Sequence, residues 1–327
     1  MTLSPGQLVE NFTIEKCLSE RGGMSKIYLA YETKRPSRYV AMKIQLTGQP
    51  ESVMYQDLLR QEAALLKTIR HPGIVRILPI RIDDMALYVA KAIELSGAPW
   101  YYTMEYLGEW TLESHLKNFP TNINEQEMEK TVFSIDWSIE MFYQILTVIN
   151  FMHEQGIAHC DLKPENIMFR HEPSVTLLPQ PILIDFGSAS QFKNMKQLTA
   201  SPGYSPPEVM EAVKLKQGIE EAKNIYPQKI DIWSLGAIFF ELLTGHPMNP
   251  VKKGFGISFL EKALSFDQPK TIKDYRPEIH DSLEKLLQVM VNPDPQKRPK
   301  VSQIIKALEE KIFSVRPPRI NNRITQK

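Results

Sequence analysis

His159-Cys-Asp-Leu-Lys-Pro-Glu-Asn166, followed at Asp185 by Asp-Phe-Gly, is the stretch of this sequence that decides its interpretation. The two segments place carboxylates, an ammonium group and a carboxamide at fixed spacing. Magnesium is a hard cation that prefers oxygen ligands and keeps several of its waters, so one carboxylate and one amide oxygen can hold it. Asp185 and Asn166 are therefore the candidate magnesium ligands.

The other side chains of these segments suit phosphoryl transfer from a nucleotide to an alcohol. That reaction needs metal ions that neutralise the phosphates, a positioned acceptor hydroxyl and a cation near the moving group. Asp161 is the candidate base for the hydroxyl proton, and Lys163 is placed to reach the γ-phosphate. A lone D-x-x-x-x-N pattern occurs by chance in many proteins. Lys163 and the downstream Asp-Phe-Gly make this combination specific.

These motifs resemble the eukaryotic-type (Hanks-type) serine/threonine protein kinase family. The resemblance extends from about residue 12 to residue 312, with the motifs in family order. It implies an α+β, two-lobed fold, with a small β-rich N-lobe that has one main helix and a larger, mostly helical C-lobe. The expected organisation is a leader (1–11), the N-lobe (12–104), a hinge (105–108), the C-lobe (109–314) and a basic flexible tail (315–327).

The N-lobe motifs implied by the resemblance concern the phosphates of ATP. Val40-Ala-Met-Lys43 resembles the strand whose lysine holds the α- and β-phosphates, and Lys43 is expected to pair with Glu62 on a helix predicted over 52–69. Taken singly, Lys43 could be an ordinary edge-strand lysine and Glu62 part of a solvated helix face. The apolar stripe of that predicted helix contains Met54, Leu58, Leu65, Leu66 and Ile69.

The segment 18–28 occupies the place of the family's glycine-rich loop, where missing Cβ atoms let backbone amides approach phosphate oxygens. Gly22 and Gly23 keep the pattern, whereas Glu20 and Ser25 replace the first and third glycines. The Gly-Gly-Met-Ser form is similar to bacterial members. The departure bears on nucleotide affinity and loop mobility more than on activity.

Thr103-Met-Glu-Tyr-Leu107 resembles the family's hinge. The resemblance implies that backbone groups of Glu105 and Leu107 meet the adenine and that Met104 sets the depth of the pocket. The hydrophobic walls are expected from Ile27, Ala41 and Met168. All of these residues would equally serve as plain core residues.

Three later motifs distinguish protein kinases from small-molecule kinases. Ala200-Ser-Pro-Gly-Tyr-Ser-Pro-Pro-Glu208 resembles a peptide-docking loop, Asp231-Ile-Trp-Ser-Leu-Gly236 the central helix, and Asp294-Pro-Gln-Lys-Arg298-Pro the source of an arginine that pairs with Glu208. Asp231, Glu208 and Arg298 are expected to be structural supports. Lys163 and Ser201 resemble the serine/threonine branch.

Cys160 stands where the family usually has an arginine that binds a phosphate on the activation loop. We therefore predict weak dependence on phosphorylation of that loop, although Lys193 and Lys196 could partly substitute. Cys160 could also be a redox-sensitive thiol, or simply a small residue in a packed loop.

Composition limits the other classes of function. Among 327 residues, 39 basic and 38 acidic side chains leave a net charge of +1, which gives no reason to expect nucleic-acid binding or a polybasic membrane anchor. The two cysteines, Cys17 and Cys160, lack CxxC spacing, so we expect a reducing, cytoplasmic location. The N-terminus lacks a secretory signal pattern.

The favoured interpretation is an ATP- and magnesium-dependent kinase that acts on serine and threonine of protein partners. Two alternatives stay open: a catalytically inactive member that serves as a binding module, to which the altered glycine-rich loop lends some support, and a kinase for a small alcohol such as an amino sugar. Three stretches exceed the family minimum and have no assigned role, at 81–99, 171–181 and 213–228.

Overall fold

Two units, Met1–Gly108 and Glu109–Lys327, make up the chain in the computed structural model. The first is rich in strands and the second in helices, so the predicted α+β class is confirmed. No helix within the described part of the chain combines the length and the hydropathy needed to cross a bilayer. The structure describes residues 2–19, 23–82, 85–120, 124–174, 178–192, 195, 198–217, 222, 225–249 and 271–310.

An antiparallel sheet of seven strands forms the first unit, in the order β1-β2-β3-β4-β9-β5, with β8 paired to β9. The remaining two strands, β6 and β7, pair with each other. The strands are β1 (Leu8–Val9), β2 (Phe12–Ser19), β3 (Ser25–Glu32), β4 (Arg35–Gln45), β5 (Ile77–Leu78), β6 (Ile80–Ile82), β7 (Met85–Leu87), β8 (Ala90–Lys91) and β9 (Trp100–Glu105).

Strand β4 is buried on both faces over its second half. Val40, Met42 and Ile44 belong to the hydrophobic core of this unit. Successive side chains of a strand point to opposite faces, so Lys43 and Gln45 lie on the other face of β4. That face carries the polar contacts described below.

The predicted helix of the first unit is confirmed as α1 (Ser52–Thr68), and of its predicted apolar stripe Leu66 and Ile69 are buried. Its buried residues are Leu59, Glu62, Ala63 and Leu66, whereas Met54 is 48% exposed. The difference arises because the buried face includes a carboxylate, which a search for apolar periodicity cannot find. Residues of the expected leader join the sheet of this unit, since Leu3 and Val9 belong to its core.

Helices dominate the second unit. Ser134 caps α4, its hydroxyl accepting a hydrogen bond from the backbone N–H of Trp137, and Gly245 ends α6 in the left-handed conformation at φ 72°. Phe142 of α4 stacks on Phe239 of α6 at 4.2 Å between ring centroids. The helices are α2 (Leu112–Leu116), α3 (Glu125–Met128), α4 (Ile135–Glu154), α5 (Pro207–Lys214), α6 (Pro227–Thr244), α7 (Asp281–Met290) and α8 (Val301–Leu308).

Short strands and 3₁₀ turns complete the second unit. Strand β10 pairs with β13, and β11 pairs with β12. These elements are β10 (Ile157–Ala158), β11 (Ile167–Met168), β12 (Ile182–Leu183), β13 (Ser190–Gln191) and the 3₁₀ turns Pro164–Asn166, Ile272–Asp274 and Pro295–Lys297. The expected tail, the last residues of the expected C-lobe, Glu20, Gly22, Lys193 and Lys196 lie outside the described residues.

Candidate active site

The loop that carries Asp161 is held between two of these short strand pairs. It leaves β10, makes the 3₁₀ turn Pro164–Asn166 and enters β11, whose partner β12 leads directly to Asp185. The buried strands are apolar, whereas the loop between them carries the polar side chains of Asp161, Lys163 and Asn166. The local sequence therefore fixes both ends of the loop in the core and leaves its polar side chains to contact each other.

A closed set of hydrogen bonds connects Asp161, Lys163 and Ser201. Lys163 Nζ donates to Asp161 Oδ2 at 2.8 Å and to Ser201 Oγ at 3.1 Å. Ser201 Oγ in turn donates to Asp161 Oδ1 at 2.5 Å. Both carboxylate oxygens of Asp161 are thus engaged, one by a cation and the other by an alcohol. This carboxylate is oriented to accept a hydrogen bond from a hydroxyl group.

Asn166 joins the same cluster through its amide nitrogen. Its Nδ2 donates to the backbone carbonyl of Asp161 at 2.8 Å and to Asp161 Oδ2 at 3.2 Å. Because the NH₂ group of the carboxamide donates these two hydrogen bonds, the carboxamide oxygen is left as the ligand for a hard metal ion. The backbone carbonyl oxygen of Asn166 also accepts a hydrogen bond from the backbone N–H of Ile184 at 2.9 Å. This bond connects the loop to the residue before Asp185.

Asp185 has a left-handed backbone conformation, with φ 59°. Non-glycine residues adopt this region rarely, and such strain is concentrated at functional sites. The next residue, Phe186, is 1% exposed, and its ring lies 5.0 Å from that of His159. His159 Nε2 also lies 3.1 Å from the carbonyl oxygen of Ile184. The backbone around Asp185 is thus fixed from both sides.

Asp231 anchors the start of the loop, as predicted for a structural support. Its Oδ2 accepts from the N–H of His159 at 2.9 Å and its Oδ1 from the N–H of Cys160 at 2.8 Å. His153 Nε2 lies 2.8 Å from Oδ2 of the same carboxylate. Cys160 has φ 62°, so these bonds stabilise an unfavourable backbone conformation immediately before Asp161. Sequence reasoning missed His153, whose only signal was a polar residue near the end of an apolar helix.

Cys160 is 4% exposed and packs with Ala158, Val209 and Ile230. Burial, with the nearby charge of Asp231, raises the pKa of the Cys160 thiol well above its ordinary value. The thiolate is the reactive form of cysteine, so this environment opposes a redox role. The interpretation as a small residue in a packed loop agrees with these observations.

Arg298 and Glu208 form a buried bidentate pair, with Arg298 Nη1 and Nη2 donating to the two carboxylate oxygens at 2.7 and 2.8 Å. Arg298 is 1% exposed, and its guanidinium lies 5.0 Å from the ring centroid of Trp233. Glu208 is in the first turn of α5, directly after the segment that carries Ser201. The pair therefore fixes one end of that segment.

Within the first unit, Lys43 and Glu62 form the predicted ion pair. Lys43 Nζ donates to Glu62 Oε1 at 2.9 Å and to Oε2 at 2.8 Å, and both residues are buried. A buried pair of this kind requires good geometry to offset the loss of hydration. The alternatives of an edge-strand lysine and a solvated glutamate are therefore wrong.

The residues predicted to surround the adenine lie mainly on β3, β4 and β9. Ala41 is opposite Met104 in the register of β4 and β9, and Ile27 is opposite Lys43 in that of β3 and β4. The carboxylate of Glu105 accepts from the backbone N–H of Arg76 at 2.9 Å, so its side chain is occupied within the sheet. Leu107 and Met104 are each 6% exposed, while Met168 is half-buried on β11 of the second unit.

Of the glycine-rich loop, Gly23 is described and Gly22 is not. Among the residues that the structure describes, no atom outside Gly23 and its chain neighbours lies within 4 Å of the position that a Cβ at Gly23 would take. The backbone at this position is therefore open to a close approach.

Comparisons with known proteins agree with this arrangement. A family model described as protein kinase domain matches residues 20–308. Similar proteins include the serine/threonine-protein kinase PknD of Chlamydia caviae, at 28% identity over 88% of this chain and 30% of that protein. The probable serine/threonine-protein kinase MARK-A of Dictyostelium discoideum is 26% identical, over 93% of this chain and 24% of that protein.

A third similar protein is the calcium/calmodulin-dependent protein kinase type 1 of Macrobrachium nipponense, at 26% identity over 89% of this chain and 72% of that protein. This chain spans less than a third of the length of the relatives from Chlamydia caviae and Dictyostelium discoideum.

Proposed function

Because the chain belongs to the protein kinase domain family, we propose that it transfers the γ-phosphoryl group of ATP to serine and threonine hydroxyls of other proteins. The observation that carries the proposal is the hydrogen bond from Ser201 Oγ to Asp161 Oδ1 at 2.5 Å, with Lys163 Nζ within 3.1 Å of the same hydroxyl. An alcohol held between a carboxylate and a cation is the environment that an acceptor hydroxyl needs.

In this proposal Asp161 orients the acceptor hydroxyl and accepts its proton as the oxygen attacks phosphorus. Lys163 places a positive charge beside the group that moves, where it stabilises charge that develops in the transition state. The buried carboxylate of Asp231 accepts hydrogen bonds from the backbone N–H groups of His159 and Cys160, the two residues before Asp161. Asp161 therefore does not need to reorganise during the reaction.

Asn166 and Asp185 are the proposed holders of magnesium, which neutralises phosphate charge when bound. One carboxylate and one carboxamide oxygen fit a hard cation that retains several waters. Within the described ranges there is no group of three or more His, Cys, Asp and Glu residues arranged to hold a metal ion, as a zinc or calcium site would require. The donor set therefore favours magnesium with ATP over a protein-bound structural metal.

The first unit supplies most of the proposed contacts to the nucleotide. Lys43, oriented by Glu62, binds the α- and β-phosphates, and the backbone at Gly22 and Gly23 approaches them closely. Backbone groups of Glu105 and Leu107 meet the adenine. Met104, Ile27, Ala41 and Met168 supply its apolar surroundings.

Two alternatives predict different products. A catalytically inactive binding module would have no need for the set of hydrogen bonds around Asp161, although the replaced glycines of the loop at 18–28 are compatible with weakened nucleotide binding. A small-alcohol kinase would have no need for a peptide-docking segment fixed by Arg298 and Glu208.

One assay distinguishes the three. Purified protein is given magnesium and γ-labelled ATP, with a generic basic protein and a set of small alcohols in parallel reactions. Label on protein serine or threonine supports the proposal. ATP binding without label indicates a binding module, and label on small alcohols alone indicates the third function.

A further inference from the structure

Two cations of α1 lie over aromatic rings of residues 88–100, the last of which begins β9. The guanidinium carbon of Arg60 is 4.8 Å from the ring centroid of Trp100, and Lys67 Nζ is 5.1 Å from that of Tyr88. Lys91 Nζ lies 5.2 Å from the ring of Trp100 as well. Tyr88 and Lys91 belong to the stretch at 81–99 that had no role in the sequence analysis.

Gln45 makes a second, independent connection between the same two elements. Its Oε1 accepts from the backbone N–H of Trp100 at 3.2 Å, and its Nε2 donates to the carbonyl of Ser52 at 2.6 Å. Ser52 is the first residue of α1, and Trp100 is the first residue of β9. Gln45 is 4% exposed, so these bonds are made away from solvent.

These contacts hold α1 at its first residue, near its middle and in its last turn. Glu62 lies between the second and third of these points and faces Lys43. Residues of an α-helix are related by about 100° of rotation each, so Arg60 and Glu62 project to nearly opposite sides of α1. A rotation or shift of α1 that moved Glu62 away from Lys43 would therefore also disrupt the contact between Arg60 and Trp100.

We propose that Arg60, Lys67 and Gln45, through Tyr88 and Trp100, are positioning residues that keep Glu62 engaged with Lys43. We call these five residues the α1 brace. The stretch at 81–99 then has a purpose, which is to supply part of the surface that holds α1. The catalytic consequence of the brace rests on the proposed function, whereas its effect on α1 does not.

Hydrogen exchange of backbone amides tests the brace without any assay of catalysis. Each cation–π contact of this kind changes an equilibrium by about two- to fivefold. In Arg60→Met and Lys67→Met, exchange over 52–68 is expected to accelerate by that factor, and the effects should multiply in the double variant because the two sites are well separated. Arg60→Lys keeps the cation and should exchange like the wild type.

Arg70→Met is the matched control, since it removes a cation just beyond α1 that lies over no aromatic ring of the described residues. Exchange over 135–154, in α4, should be unchanged in all variants. Unchanged exchange over 52–68 in the double variant overturns the proposal. Equal acceleration in Arg70→Met, or acceleration throughout both units, overturns it as well.

Kinetics tests whether the brace positions the ion pair. In the double variant kcat is expected to fall at least about twofold, with the KM for the protein acceptor unchanged. A variant that combines Arg60→Lys with Lys67→Met has a cation at position 60 again and should recover part of this loss. If the wild type is active and the double variant shows faster exchange with an unchanged kcat, the positioning role is contradicted. A wild type without phosphotransfer refutes the proposed function and leaves the exchange test valid.

Discussion

Ser201 donates its hydroxyl hydrogen to Asp161, with 2.5 Å between Oγ and Oδ1. The two residues are far apart in the sequence and meet because α5, which follows Ser201, is fixed by the pair between Arg298 and Glu208. The segment that carries Ser201 and the loop that carries Asp161 are thus connected through the carboxylate that we propose as the base.

Replacement of Ser201 tests this connection. Hydrogen bonds to charged groups contribute about 1.5–3 kcal/mol, so Ser201→Ala is expected to lower kcat at least about tenfold while the protein stays folded. Ser201→Thr keeps the hydroxyl and should retain most of the activity. Steady-state kinetics on one protein acceptor checks this, and an Ala variant as active as the Thr variant would show that the contact has no catalytic value.

Removal of the guanidinium at Arg298 should affect stability before chemistry. Arg298→Ala leaves the carboxylate of Glu208 without its partner, and breaking a buried ion pair in this way costs about 3–5 kcal/mol. Urea unfolding measures the loss. Lys297→Ala is the matched control, because Lys297 is the neighbouring cation and its side chain is 70% exposed. Equal stabilities of the two variants would contradict the structural role of the pair.

We expect His115 to make the stability of the second unit sensitive to acid. Its ring stacks on Phe133 at 4.5 Å between centroids, and burial lowers the pKa of His115 to about 4. The folded-state pKa of His115 lies below the unfolded value of about 6.5. The contribution of neutral His115 to the free energy of unfolding is therefore fully present above about pH 6.5 and is lost as the pH falls from there toward about 4. The lowered pKa corresponds to about 3 kcal/mol across that window.

Unfolding measured between pH 7 and pH 4 for His115→Phe tests this assignment. The variant should lose less stability than the wild type over that range, whereas His171→Gln, which alters an exposed histidine, should follow the wild type. A His115→Phe variant with the wild-type pH dependence would refute the role of this side chain.

Phosphorylation of the activation loop should matter little, because the neutral, buried Cys160 replaces a phosphate-binding cation. Ser190 is only 8% exposed, and the hydroxyls of Ser188 and Thr199 lie 3.0 Å apart in a hydrogen bond. The triple variant Ser188→Ala, Ser190→Ala, Thr199→Ala should therefore keep most activity. Ser190→Ala alone serves as the control for packing. A loss greater than about a hundredfold, or 2.7 kcal/mol in the barrier, would contradict this.

The sequence predicted the elements and motifs whose information is local. Helical spacing predicted α1, and the motifs with their spacing pointed to the cluster around Asp161 and to the partners Lys43 and Glu62. Both kinds of signal work because a helix period or a fixed spacing is written in consecutive residues.

The rest depends on contacts between distant residues. The buried face of α1 was predicted only in part, because a count of apolar residues does not find Glu62, which Lys43 stabilises there. The contact of His153 with Asp231 joins residues on α4 and α6, and the α1 brace joins Arg60 to a ring on β9. Each of these side chains alone has an ordinary solvated or packed alternative, so only the tertiary structure distinguishes them.

The most direct measurement compares wild type and Asp161→Asn for phosphoserine and phosphothreonine formed on a protein acceptor at the same concentration of magnesium and ATP. The wild type should form both kinds of product, and the variant should bind ATP equally well while its kcat falls by about a hundredfold or more, since a positioned base contributes about 10²–10⁴. Equal rates for the two proteins, or a wild type that binds ATP and labels no protein hydroxyl, would contradict the account.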